Sequence, residues 1–127
     1  MSRPALLDAS FLIDLERETV QGEVGPARRF LSVLRGRPIA VSVVTVAEML
    51  EGARDESATW SALQRFAIQG VHSAQALQWA RLRRRASRQM SENDAWIVAT
   101  AESIDADVVG ADRAAFERLG ARYLRFR

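Results

Sequence analysis

Cysteine is absent from this chain of 127 residues, lysine is absent as well, and histidine occurs once, at His72. Without cysteine there are no disulfides, thiolate zinc sites, iron–sulfur clusters or cysteine nucleophiles, and the composition suits a reducing compartment. Without lysine the chain lacks the phosphate-binding residue of a P-loop NTPase and the Schiff-base residue of a pyridoxal enzyme. A single imidazole excludes a two-histidine zinc site. Nowhere do about 20 uninterrupted apolar residues occur, the length that a membrane helix needs. The N-terminal stretch also lacks a secretory apolar run and cleavage site, so the expectation is a cytoplasmic chain with no membrane association. What remains is 18 arginines against 16 carboxylates, a formal net charge of +2, in a composition 48% apolar. This suits one globular domain with one core. Carboxylates and arginines are its main charged tools.

Apolar runs and turn residues order the chain. Pro4 to Leu7 reads as a buried strand, followed by a short helix over Phe11 to Arg17 and an amphipathic helix over Ala27 to Arg35. Ile39 to Ser42 is a second strand. Thr45 is expected to cap a helix over Val46 to Arg54, and Trp60, Leu63 and Phe66 place a further helix over about Ser57 to Gln69. Gly70 to His72 reads as an edge strand, Ser73 opens a helix to about Arg88, and Ser91 caps a helix over Glu92 to Ile104. Asp107 to Gly110 is a strand, Asp112 to Leu119 is helical, and Ala121 to Phe126 alternates as an edge strand. Short apolar strands alternating with helices define an α/β fold with a parallel sheet covered on both faces.

In open α/β sheets ligands bind beyond the carboxyl ends of the strands. Asp8 follows the first strand, Glu48 lies in the first turn of the helix after the second, Asp94 opens a later helix and Asp112 follows the fourth strand. Each also suits a structural role. Thr45 with Glu48 and Ser91 with Asp94 have capping-box spacing, and Asp8 and Asp112 stand where helix caps stand. Four carboxylates brought together repel, each pair near 4 Å by about 4 kcal/mol at an effective dielectric near 20. Such a cluster requires protons or cations. Hard oxygen donors without His or Cys select Mg²⁺ or Mn²⁺, which points to metal-assisted phosphodiester hydrolysis.

At three segments the chain resembles the PIN-domain ribonucleases, and within them the VapC-type toxins of toxin–antitoxin pairs. These are Leu7-Asp8-Ala9-Ser10-Phe11-Leu12-Ile13-Asp14-Leu15, Val43-Val44-Thr45-Val46-Ala47-Glu48-Met49 and Asn93-Asp94-Ala95-Trp96-Ile97-Val98-Ala99-Thr100-Ala101. The resemblance implies one PIN-like domain over residues 1–127, a three-layer sandwich around a mostly parallel sheet of four to five strands. It implies that Asp8, Glu48 and Asp94 are metal-coordinating catalytic acids, that Asp112 is a fourth, and that Ser10 assists the first acid. Gly110 departs from the pattern, standing where relatives commonly carry threonine, while Asp112 and Phe116 fit; the departure bears on Asp112's orientation and on any second metal. The implied activity is Mg²⁺- or Mn²⁺-dependent cleavage of RNA without a protein nucleophile, as the toxin of a type II pair. The implied partners are a VapB-type antitoxin and a second copy in a homodimer.

Arg81, Arg83, Arg84, Arg85 and Arg88 crowd one predicted helix, and Arg81, Arg85 and Arg88 share a face that suits either a phosphate backbone or a solvated surface paired with acids. Trp79 and Trp96 suit base stacking or core packing, and Trp60, Leu63 and Phe66 an antitoxin groove or core packing. His72 reads as structural. Two rival functions stand beside the ribonuclease: a non-catalytic RNA- or protein-binding scaffold on the same fold, motivated by Gly110, and a structure-specific DNA nuclease.

Overall fold

The computed structural model describes residues 3–85, 90–111 and 122–127. Its elements in chain order are β1 (Ala5–Leu7), α1 (Ala9–Gln21), α2 (Pro26–Val33), β2 (Ile39–Ser42), α3 (Val43–Glu51) and α4 (Glu56–Leu63). After these come β3 (Ala67–Gln69), α5 (Ser73–Arg85), α6 (Glu92–Ile104), β4 (Asp107–Gly110) and β5 (Tyr123–Arg125). The strands form one sheet in the order β3-β2-β1-β4-β5, and every pairing is parallel. The three-layer α/β sandwich expected from the sequence is therefore present, with all five strands parallel.

Side chains alternate across the pleat of β1, so Ala5 and Leu7 join one core while Leu6 joins the other. The first core packs Val41 and Val109 against Phe11, Leu12 and Leu15 of α1, Val46 and Met49 of α3, and Leu63 of α4. The second packs Leu6, Ala40 and Val108 against Leu82 of α5 and Ile97, Val98 and Ala101 of α6. The buried strand residues explain the apolar runs of β1, β2 and β4, which face helices on both sides.

Several boundaries differ from the sequence reading, and at three places the physical reason is plain. Helix α3 begins at Val43, capped by Ser42, whose hydroxyl accepts from Val44 N at 3.1 Å. Thr45 thus lies inside the helix, with a buried hydroxyl. Helix α4 stops at Leu63, and the edge strand lies at Ala67–Gln69 rather than at Gly70 to His72, because those residues pair with Ala40, Val41 and Ser42 of β2. Helix α1 runs on to Gln21 and is stopped by Gly22, whose positive φ of 68° is a left-handed conformation that favours glycine. The expected helix from Asp112 to Leu119 lies outside the described residues.

Glu18 fixes the α1–α2 junction. Its buried carboxylate accepts the backbone N–H groups of Gly25, Ala27 and Arg28 at 3.0, 2.9 and 2.9 Å, and so caps the N-terminus of α2. Gly25 leaves the space it needs, since a Cβ there would sit 2.6 Å from the carboxylate. Burial raises the Glu18 pKa, but the amides of Arg28, Ala27 and Gly25 outweigh it, and the group lies below the usual glutamate range. A depressed folded-state pKa gives stability that is present above the unfolded value of about 4.3 and is lost as pH falls through the folded value. Glu18→Ala leaves these amides without acceptors and is expected to lower the unfolding free energy by about 2–3 kcal/mol, measured by urea denaturation at neutral pH. The difference between variant and wild type should shrink at acid pH.

Candidate active site

Strand order reverses direction at the β1–β4 boundary, with β2 and β3 on one side and β5 on the other. This is the switch point at which an open parallel sheet presents a crevice beyond its strand ends. Asp8 leaves β1 there, buried, with its N–H donating to the Val109 carbonyl of β4 at 2.9 Å. It stands at the N-cap position of α1, yet its side chain makes no capping bond. The Ser10 hydroxyl donates to Asp8 Oδ2 at 2.8 Å and accepts from Ala111 N at 3.0 Å. With its one proton on the carboxylate and a lone pair on the amide, Ser10 ties the first acid to the end of β4.

Gly110 closes the same corner. A Cβ on it would lie 3.1 Å from Asp8 Oδ2 and 3.2 Å from both Asp8 Cβ and Ser10 Oγ. The glycine at the expected threonine position is thus matched by a close approach of the Asp8–Ser10 pair, and a side chain there would press on the carboxylate. Asp112, two residues further on, lies outside the described residues.

Glu48 lies in α3 beyond its first turn, not in that turn as the sequence suggested, because the helix begins at Val43; it is half-buried. Since Ser42 and not Thr45 caps the helix, the capping-box role for Glu48 falls away. The Asn93 side chain stands near enough to the Glu48 carboxylate to hold its pKa down against burial; the sequence reading gave Asn93 no role, its only signal being its place beside Asp94. Asp94 is the third residue of α6, and its N–H donates to the Ser91 hydroxyl at 3.1 Å, so this helix is capped as expected.

The electrostatics tie these acids together. Burial pushes the Asp8 pKa above the usual aspartate range, the Ser10 hydroxyl and nearby backbone amides oppose it, and the Asp94 charge raises it further. Burial likewise raises Glu48, with the Asn93 amide opposing and the charges of Asp8, Asp94 and Glu51 adding to the rise. Among the described residues no arginine pairs with Asp8 or Glu48. The opposite ends of the strands are built differently. There the buried Asp107 is held by Arg3 and Arg37, and Asp105 by Arg3 and Arg122.

Among the described residues no three acids stand close enough to enclose a metal ion by themselves. The donors are nevertheless all hard oxygens, the Asp94 charge raises both Asp8 and Glu48, and among the described residues neither Asp8 nor Glu48 pairs with an arginine. That suits Mg²⁺ or Mn²⁺, which commonly takes one or two carboxylates and keeps several waters. Of the other residues singled out in the sequence, Arg81 and Arg85 are exposed on α5, and Arg88 lies outside the described residues. Leu63 is core, Phe66 packs partly against it and Trp60 is 42% exposed. No helix among the described residues is long and apolar enough to cross a membrane.

The chain matches the family model described as PIN domain over residues 5–121. No curated protein matches it. Among solved structures it is similar to a toxin–antitoxin complex from Klebsiella pneumoniae, with a TM-score of 0.79, 25% identity, and 97% of this chain and 98% of that chain covered. It is also similar to a DNA-bound VapBC from Salmonella typhimurium, with a TM-score of 0.78, 18% identity, and coverage of 99% and 100%. A third is VapBC-5 of Mycobacterium tuberculosis, with a TM-score of 0.65, 25% identity, and coverage of 99% of each chain.

Proposed function

From the premise that this chain belongs to the PIN domain family, we propose that it is a divalent-metal-dependent endoribonuclease, the toxin of a type II toxin–antitoxin pair. One observation carries the reading: Asp8 and Glu48, from separate elements, come near enough to Asp94 at the sheet's switch point for its charge to act on both, and among the described residues no arginine pairs with either. Among the described residues arginines pair with Asp105 and Asp107 at the opposite ends of the strands, and none pairs with Asp8 or Glu48.

In this reading Asp8, Glu48 and Asp94 hold Mg²⁺ or Mn²⁺, with Asp112 as a fourth acid. Such an ion, when bound, neutralises phosphodiester charge and lowers the pKa of water for attack. The protein's own part is positional. Ser10 holds Asp8 with the proton on its hydroxyl, the Asn93 amide faces the Glu48 charge, and the Ser91 cap fixes the turn that presents Asp94. No side-chain nucleophile is needed.

An antitoxin requires an apolar docking surface, and the groove between α1, α3 and α4 offers one. It has a volume of about 230 Å³ and is lined by Leu12, Leu15, Val20, Met49, Leu63 and Phe66, among others. The solved relatives include toxin–antitoxin complexes, which supports this partner. Homodimerisation belongs to the same reading and is measured by light scattering on the purified chain.

Mn²⁺ titration separates the nuclease from the non-catalytic scaffold. An ion that binds only the folded chain stabilises it by about 2.7 kcal/mol at a hundred times its dissociation constant. The thermal midpoint should therefore rise with Mn²⁺ in the wild type and stay flat in Asp94→Asn. An equal response in both chains would remove the metal site from the acids named here.

A further inference from the structure

Thr45 differs from Thr19 and Thr100, which also lie in helices. Each of those two donates to the carbonyl four residues back, Leu15 and Trp96 respectively, at 2.8 Å. Thr45 has no helical carbonyl at that distance, because α3 follows β2 directly and the residue four back is Val41 of the strand. Its side chain is 0% exposed, and among the described residues its Oγ1 meets no hydrogen-bond partner. A buried hydroxyl without a partner costs stability, and an apolar group of the same shape would pack better. Such a group calls for a partner from outside the chain, a water or a ligand.

The backbone places this hydroxyl beside the acids. Leu7 pairs with Val41 in parallel register, so the residues that follow, Asp8 and Ser42, leave the sheet side by side, on strands about 4.8 Å apart. Ser42 caps α3, Thr45 lies in its first turn, and Glu48 follows three residues later, where Cβ atoms are about 5–6 Å apart. Thr45 and Glu48 therefore form one ridge that rises from the strand end next to Asp8. At about 3.6 residues per turn, Thr45 falls between Glu48 on one side and Val46 and Met49 on the other. Val46 and Met49 belong to the first core, while Glu48 is turned to the charges of Asp8 and Asp94. Thr45 thus occupies the seam between core and acids.

We propose that Thr45 is a positioning residue of the acid site, its hydroxyl accepting a hydrogen bond from a water in the shell of the divalent ion. The inference rests on the nuclease reading and adds a residue to it. An ion held by few carboxylates keeps several waters, and the partners of that outer shell orient what the ion binds. The hydroxyl has two lone pairs to offer such a water and one proton to donate towards the Glu48 carboxylate.

The test is Mn²⁺ binding to the full chain without RNA, read from the electron paramagnetic resonance of free Mn²⁺, beside thermal unfolding in EDTA. Valine keeps the branched shape and helix propensity of threonine and drops the hydroxyl, whereas serine keeps the hydroxyl and drops the methyl. T45V is expected to melt at or above the wild-type midpoint in EDTA and to bind Mn²⁺ about ten-fold more weakly, as loss of an outer-shell partner does. T45S should melt lower and yet keep most of the Mn²⁺ affinity. Affinity that instead follows stability, with T45S weakened as much as T45V, would make Thr45 a packing residue and overturn the role. If Asp94→Asn loses Mn²⁺ while T45V binds it like the wild type, the role of Thr45 alone falls. If Asp94→Asn also binds like the wild type, the acid site falls and Thr45 with it.

Discussion

Asp8→Asn is expected to reduce Mg²⁺-dependent RNA cleavage by about a thousandfold or more while leaving the thermal midpoint unchanged or higher. The loss follows from chemistry: a divalent ion supplies several kcal/mol of charge stabilisation in the transition state, and about 4 kcal/mol corresponds to about 10³ in rate. The retained stability follows from electrostatics. Asp8 is 9% exposed, burial disfavours its charge and Asp94 repels it, so a neutral isostere relieves both costs. Asparagine also keeps an oxygen for the Ser10 hydroxyl, which donates to Oδ2 at 2.8 Å. Gel assays on an RNA oligonucleotide read the first effect and calorimetry the second. A folded variant that still cleaves at the wild-type rate would remove Asp8 from the chemistry.

Phe11→Ala is expected to cost about 3–5 kcal/mol, the range for truncating a fully buried aromatic. Phe11 is 0% exposed and packs edge-on against Phe126 at 4.9 Å and Phe30 at 6.5 Å between ring centres. It joins α1, α2 and the segment after β5 in one core, and that segment is also tied to α1 by Arg127 Nε, 2.6 Å from Asp14 Oδ2. Truncation leaves three elements facing a cavity that the rigid sheet cannot collapse into. Phe11→Leu, which fills more of the space, should cost clearly less. Urea denaturation measures both, and equal, small losses would show that the core repacks around this position.

Which parts of the fold were legible follows from what fixes each element. Strands β1, β2 and β4 face helices on both sides, so their sequences are apolar without interruption and their bounds could be read closely. Helix α6 carries its cap in Ser91 and was placed to the residue. Strand β3 is exposed, three residues long and defined only by pairing with β2, a non-local cause that the sequence does not display. The helical spacing of Trp60, Leu63 and Phe66 instead carried the predicted helix through it. In α3 two hydroxyl residues competed for one cap, and Ser42, the last strand residue, won over Thr45 because the helix follows β2 directly.

The site divides in the same way. The order of Asp8, Glu48 and Asp94 along the chain was visible, and so was Ser10 beside the first acid. The roles of Asn93 and Gly110 depend on approaches between elements far apart in sequence, Asn93 to Glu48 and Gly110 to Asp8. The arginines of α5 were visible as a stripe, but the absence of carboxylate partners among the described residues required their neighbours in space.

Central to the account is a shared divalent ion among acids from α3, α6 and the end of β1. An anomalous difference map from crystals of the full chain soaked in Mn²⁺ tests it most directly. The account predicts one strong peak in contact with the carboxylates of Asp8 and Asp94, lost in crystals of Asp8→Asn. Mn²⁺ found only at acids elsewhere on the surface, with the Asp8 carboxylate bare, would contradict it.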